Sequence, residues 1–331
     1  MTIQARNLRL TDLPVLAFHS HRFYPNQAMT LDRAFVFGAT NLKLRRLTQT
    51  TIWPNHGSQT WISRDGSSLL GLISLRRRTE KTAWEIDTLI STTKNDVFLL
   101  DLLDRAVATA AVDGAHRLFV RLAEGSPAIE IVQSQGFIPI VSETIYEIPT
   151  PPKLPSWISN LQTIHYQNPL TDQELFQLYC QVTPRETRWQ TALSPSEWRG
   201  AQESLGSRGK EYFVASEKTK QAGSGGKSAN TGLIRIATHK KTSAITVLVP
   251  PQENIVNTTI NTALSIAITM KSQRTHLVVP DYDSIIHRIV SKIEMRSIGK
   301  SIMLVRPIAQ RVRRLELAEK SVEKGIHSAV R

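Results

Sequence analysis

Cysteine is nearly absent from this 331-residue chain. The single Cys180 excludes an internal disulfide framework and a multi-cysteine metal centre. Long apolar runs are missing too: none approaches the roughly 18 residues of a membrane span. The N-terminal stretch MTIQARNLRLTDL has no apolar segment of the signal-peptide kind, so the expectation is a cytoplasmic protein with no membrane partner. Aromatic residues make up only 6% of the chain and do not interleave with the Lys and Arg, which argues against single-strand nucleic-acid binding. What is present, 40% hydrophobic residues with charge interspersed, belongs to a globular fold long enough for two domains of roughly 150 residues.

Charge is unevenly divided. Residues 1–150 hold 16 Lys+Arg against 14 Asp+Glu, whereas residues 151–331 hold 25 against 14. A basic second half admits an acidic partner as a possible role. Much of the excess, however, sits in the polar stretch KTKQAGSGGKSAN and in the C-terminal tail.

The pattern of elements is legible. Asn7 to Leu10 reads as a strand, and Thr11-Asp12 as a helix cap ahead of Leu13-Pro14. Thr60 to Ser63 and Leu69 to Arg76 are strands joined by a turn containing Asp65-Gly66, and Ala83 to Ile90 is a third. Phe98-Leu99, Leu102-Leu103, Ala106 and Ala110 recur at helical spacing, predicting a helix over Val97 to Asp113. A strand over Arg117 to Arg121, a helix over Pro127 to Ser134, and two strands, Phe137 to Val141 and Thr144 to Ile148, complete the unit. The proline-rich Pro149 to Pro155 then reads as a stiff linker.

After the linker the order repeats. Thr171-Asp172 caps a helix as Thr11-Asp12 does. GLISLRRRTEKTA (71–83) aligns without gaps to GLIRIATHKKTSA (232–244), with Gly, Leu, Ile and the last Ala identical. Two copies of one fold explain this. The expected division is a first domain over 1–148, a linker over 149–159, a second domain over 160–310 and a charged tail over 311–331.

One junction stands out. LISTTKNDVFLLDLL (89–103) carries a strand into a helix, and such a junction offers free backbone N–H groups and a positive dipole end to a phosphate. The order of elements, the hairpin with Gly71-Leu72-Ile73, the strand Trp84 to Ile90 and the ending Gln135-Gly136-Phe137 together resemble the GNAT acetyltransferase superfamily. The chain as a whole resembles a tandem GNAT protein, an α/β fold with a mixed sheet in each half.

That resemblance implies transfer of an acetyl or other acyl group from a coenzyme A thioester to an amine on a small molecule or protein. It implies acetyl-CoA as cosubstrate and no metal, with the N-terminal copy as the only catalytic half. It lays the pantetheine along the fourth strand, at Leu89, Ile90 and Ser91, and the pyrophosphate at Lys94, Asn95 and Asp96. Lys94 falls at the family's Arg position and Asn95 at its first Gly, while Val97 and Leu99 stand where later glycines belong. The second copy has Pro250-Pro251-Gln252-Glu253-Asn254-Ile255 there, without Gly or cation. The family's acid Tyr is replaced by Val132 in one copy and Val290 in the other.

Glu85 and Asp87, two apart on a strand, share one face. The resemblance makes either a general base acting through water, Glu85 foremost. The plainer reading is a solvated pair, or one neutralised by Arg76 to Arg78. His19, His21 and Tyr24 fall where the family builds its acceptor wall, and also read as ordinary loop residues. No third ligand joins the two histidines as a metal site. Gly226-Lys227-Ser228 lacks the Walker glycine, since Gln221 stands there. Cys180 reads as a structural thiol. Trp189 and Trp198 with Arg185, Arg188 and Arg199 read as helix packing or as a binding surface. The functions left in view are an N-acyltransferase, a non-catalytic scaffold or ligand sensor of the same fold, and a binder of an acidic partner or nucleic acid through the basic C-terminal half.

Overall fold

The computed structural model describes residues 4–19, 25–33, 35, 57–66, 68–92, 97–148, 170–215, 231–270, 272–293 and 295–308. In the first half these form β1 (Gln4–Asn7), a 3-10 turn (Leu10–Asp12), α1 (Leu13–His19), β2 (Ser58–Asp65), β3 (Ser68–Arg77), β4 (Ala83–Ser91), α2 (Val97–Val112), β5 (Arg117–Ala123), α3 (Ala128–Ser134) and β6 (Ile138–Ile148). The second half adds α4 (Asp172–Val182), α5 (Arg185–Thr191), α6 (Pro195–Gly200), β7 (Lys210–Ala215), β8 (Thr231–His239), β9 (Thr242–Leu248), α7 (Glu253–Thr269), β10 (Arg274–Pro280), α8 (Ser284–Lys292) and β11 (Arg296–Pro307).

Successive residues on a strand face opposite sides, and here the two sides bury different helices. Trp61, Ile73, Leu75 and Leu89 pack against Phe98, Leu102, Leu103 and Ala106 of α2. Their neighbours Ile62, Leu72 and Ile90 pack against Leu16 of α1. In the second half Ile234, Ile236 and Ile245 meet Val256, Ile260 and Ala263 of α7, and Leu233 meets Leu175 and Tyr179 of α4. The expected Thr171 cap is a reciprocal one: its Oγ1 accepts from the N–H of Glu174, whose carboxylate accepts from the N–H of Thr171 at 2.8 Å. Thr11-Asp12 behaves differently. Asp12 lies in the 3-10 turn, buried, accepting from Arg6 and from the N–H of Arg9.

The glycines shared by the repeat have one physical cause. A methyl group at Gly71 would run into the ring of Phe98 on α2 and sit 2.7 Å from the carbonyl O of Ile90. A methyl group at Gly232 would lie 2.6 Å from Oγ1 of Thr259 on α7. In each half the long helix crosses its sheet too closely for a side chain. Gly71→Val is therefore expected to cost about 1–3 kcal/mol through overpacking, read as a lowered denaturant midpoint in urea unfolding.

All eleven strands of the described residues join one sheet, in the order β1-β2-β3-β4-β5-β11-β6-β10-β9-β8-β7. The last strand of each half has changed sides. β11 runs antiparallel to both β5 and β6, and β6 runs antiparallel to β10. The two strands expected between Phe137 and Ile148 are a single one. Ser142 and Glu143 do not turn, because they sit in mid-ladder opposite Ile302 and Ser301, with Glu143 also opposite Pro280.

Candidate functional site

β4 and β5 are parallel neighbours for a short distance only. They pair at Ala83–Arg117, Trp84–Leu118 and Glu85–Phe119, and then part. The parting is lined by main-chain polar groups, and buried groups of that kind need partners. Residues Asn26 to Met29 supply them. The N–H of Gln27 donates to the carbonyl of Leu89 at 2.9 Å, and the N–H of Met29 donates to the carbonyl of Arg121 at 2.8 Å. The side chain of Asn26 imitates a peptide unit: its Oδ1 accepts from the N–H of Leu89 at 2.7 Å while its Nδ2 donates to the carbonyl of Asp87 at 3.1 Å. Ala28 forms an antiparallel bridge with Leu122, and Ser126 Oγ donates to Gln27 Oε1 at 2.8 Å. A short piece of chain thus re-closes the sheet.

This strap is anchored beyond the parting. Met29, Leu31 and Phe35 pack onto Ala237, Ala244 and Val278 of the second half. Asp32 takes two hydrogen bonds from Arg76, at 2.6 and 2.9 Å. Arg33 donates to the carbonyl of Asp87 at 2.6 Å and to its carboxylate at 3.1 Å.

Glu85 and Asp87 lie on the same side as the strap, in a buried layer of ion pairs. Asp87 is the extra residue of a bulge, since Ser74 and Leu75 of β3 face Thr88 and Ile86. Glu85 is only 2% exposed; Arg76 Nε holds one carboxylate oxygen, and Arg78 Nε holds the other at 3.0 Å. Arg78 also lies over the Phe119 ring at 3.9 Å and donates to the carbonyl of Ala201 at 2.6 Å. Asp87 is 1% exposed.

The layer continues through both halves. Arg121 of β5 binds Glu143 of β6 at 2.7 and 3.2 Å and Glu203, on the chain after α6, at 2.8 Å. Glu143 also accepts from Ser301 of β11, and Glu203 from the N–H of Leu31. Burial pushes the Glu203 carboxyl up, but Arg121 and Arg78 outweigh it and hold the group at about 2. Asp32 is likewise held well below the carboxylate range, burial being overcome by Arg76.

The other residues singled out from sequence are dispersed. Leu89 and Ile90 are buried on opposite faces of β4, and Ser91 is buried opposite Gly71. His19 is the last residue of α1. His21, Tyr24, Lys94, Asn95, Asp96 and the Gly226-Lys227-Ser228 stretch lie outside the described residues. Val132 and Val290 are fully buried core residues. Among the described residues no three His, Cys, Asp or Glu side chains gather as metal ligands, and no helix is long and apolar enough to cross a membrane. Asn26, Arg33, Arg121 and Glu203 escaped the sequence reading, because each acts on a strand far away along the chain.

No family model and no curated protein matches the sequence. Solved structures do match over nearly its full length. A GCN5-related N-acetyltransferase from Sphaerobacter thermophilus superposes with a TM-score of 0.55 at 10% identity, over 94% of this chain and 97% of its own. A tandem GNAT protein from the clavulanic acid biosynthesis pathway superposes with a TM-score of 0.52 at 9% identity, over 94% and 100%. This chain has the tandem GNAT fold. Within that tandem GNAT fold the two halves differ at the parting. β9 and β10 remain paired from Thr242–Arg274 to Thr246–Val278, so five consecutive pairs hold together where β4 and β5 keep three.

Proposed function

We propose that this protein works as a GNAT-fold binding scaffold and not by acyl transfer from a CoA thioester. The observation that carries this reading is the strap. A pantetheine chain laid along β4 would need the N–H and C=O of Leu89, and both are taken by Asn26 and Gln27. The residues there do not fit the cosubstrate, and the junction that follows has no glycine between Leu89 and Leu103 for close approach of a diphosphate. Glu85 fits poorly as a base reaching its amine through water, since guanidinium groups hold both of its oxygens away from solvent.

The competing reading has one observation in its favour: β4 and β5 part in the first half, as an acyl-CoA groove requires, while β9 and β10 do not. It would make the first half an N-acyltransferase acting on an amine-bearing acceptor, with the strap withdrawn. Calorimetric titration of the full chain with acetyl-CoA separates the two. No saturable heat is expected up to about 1 mM, for the native chain or for Asn26→Ala. Saturable micromolar binding by the native chain, with CoA thiol released when polyamines or lysine peptides are added, would refute the scaffold reading.

A further inference from the structure

A polar concavity lies at the opposite end of β5 from the strap. It has a volume of about 300 Å³ and is built where three parts of the chain meet. His116 and Arg117 open β5, Pro307 and Ile308 end the exchanged strand β11, and α5 and α6 close the side. This volume is at the low end of the range for ligand pockets, so the space suits a small ligand.

The chemistry of the walls is specific. Arg117 and Glu197 present opposite charges side by side, Nη2 to Oε2 at 3.3 Å, with the guanidinium 15% and the carboxylate 30% exposed. Both are fixed in place: Arg117 Nε donates to the carbonyl of Gln190 at 3.0 Å, and Glu197 accepts from the N–H of Leu193 at 2.9 Å. Trp189 forms a flat wall and is 59% exposed, while its companion Trp198 is packed into the core against Tyr179. The exposed indole offers an apolar surface beside the paired charge. Arg185 lies over the same ring at 4.6 Å and holds it.

We infer that this concavity binds a small zwitterion, an α-amino acid with an apolar side chain. The carboxylate meets Arg117 and His116, the ammonium meets Glu197, and the side chain lies against Trp189 and Ile308. An α-amino acid carries its ammonium and carboxylate groups on one carbon, and the wall likewise presents Arg117 and Glu197 close together, 3.3 Å apart. The inference does not depend on the strap or on acyl-CoA.

Calorimetry on the full chain tests it, with L-phenylalanine and L-leucine as probes. 2-Phenylethylamine and 3-phenylpropanoate serve as analogues with one charge each. One of the amino acids is expected to saturate a single site. Removal of either charge is expected to weaken binding about tenfold or more. Trp189→Ala should weaken it severalfold, with the far-UV circular dichroism and melting temperature of the native chain retained, because this side chain is mostly exposed. Arg117→Gln provides a second variant. Absence of binding by both amino acids up to about 10 mM would overturn the inference. So would equal binding of the single-charge analogues, or binding unchanged in both variants.

Discussion

A fragment ending at Ile148 is expected not to hold the native sheet. Both neighbours of β6 come from the second half of the chain, β11 on one side and β10 on the other. The outer neighbour of β5 is β11 as well. Cutting after Ile148 would strip β6 of every ladder partner and expose the fully buried Phe119 and Ile145, which pack against Met303 with Val305 and against Ala237 with Val278. Long unpaired apolar edges aggregate. The measurement is far-UV circular dichroism with size-exclusion chromatography on residues 1–148. Loss of strand signal or aggregation is expected, with a soluble complex restored when residues 149–331 are co-expressed. A monodisperse fragment with native strand content would contradict the exchange.

Arg121→Ala is expected to destabilise the protein by about 3–5 kcal/mol, because it leaves Glu143 and Glu203 buried without their shared cation. For a chain of this size that corresponds to a melting temperature lower by about 4–7 °C. Arg121→Met combined with Glu203→Gln should recover part of the loss, since removing both partners is milder than orphaning one. The same layer sets an acid limit. Glu203 lies at about 2 in the folded chain against an ordinary 4.5, so on acidification the unfolded chain takes up the proton first. Its contribution is fully present above about pH 4.5 and is lost as pH falls towards 2; the shift corresponds to on the order of 3 kcal/mol. Urea unfolding between pH 2 and 5 should show this slope in the native chain and a shallower one in Glu203→Gln.

Neither effect could have been read from local pattern. Spacing placed Glu85 and Asp87 on one face, and the run Arg76 to Arg78 raised the option of neutralisation by the neighbouring strand. The partners Asp32, Arg33 and Glu203 carry no such spacing, because they arrive from a turn and from the second half. The Asn26 side chain is similar. No local pattern marks it, and only its contact with Leu89 and Asp87 reveals a stand-in for a peptide unit. Trp189 and Trp198 looked alike in sequence, yet one is buried and the other lines a concavity.

By itself the sequence determined the type and order of most elements, the repeat, and the mixed α/β fold. Periodicity, capping and turn chemistry are local, and the shared Gly71 and Gly232 mark the same helix crossing twice. Tertiary structure alone decided that β6 runs unbroken, that β6 and β11 change sides, and that the chain closes its own parting between β4 and β5. Those outcomes depend on pairing and charge compensation between residues from opposite ends of the chain. The stabilisation from such contacts appears only when both partners are in place, and a local window holds just one of them.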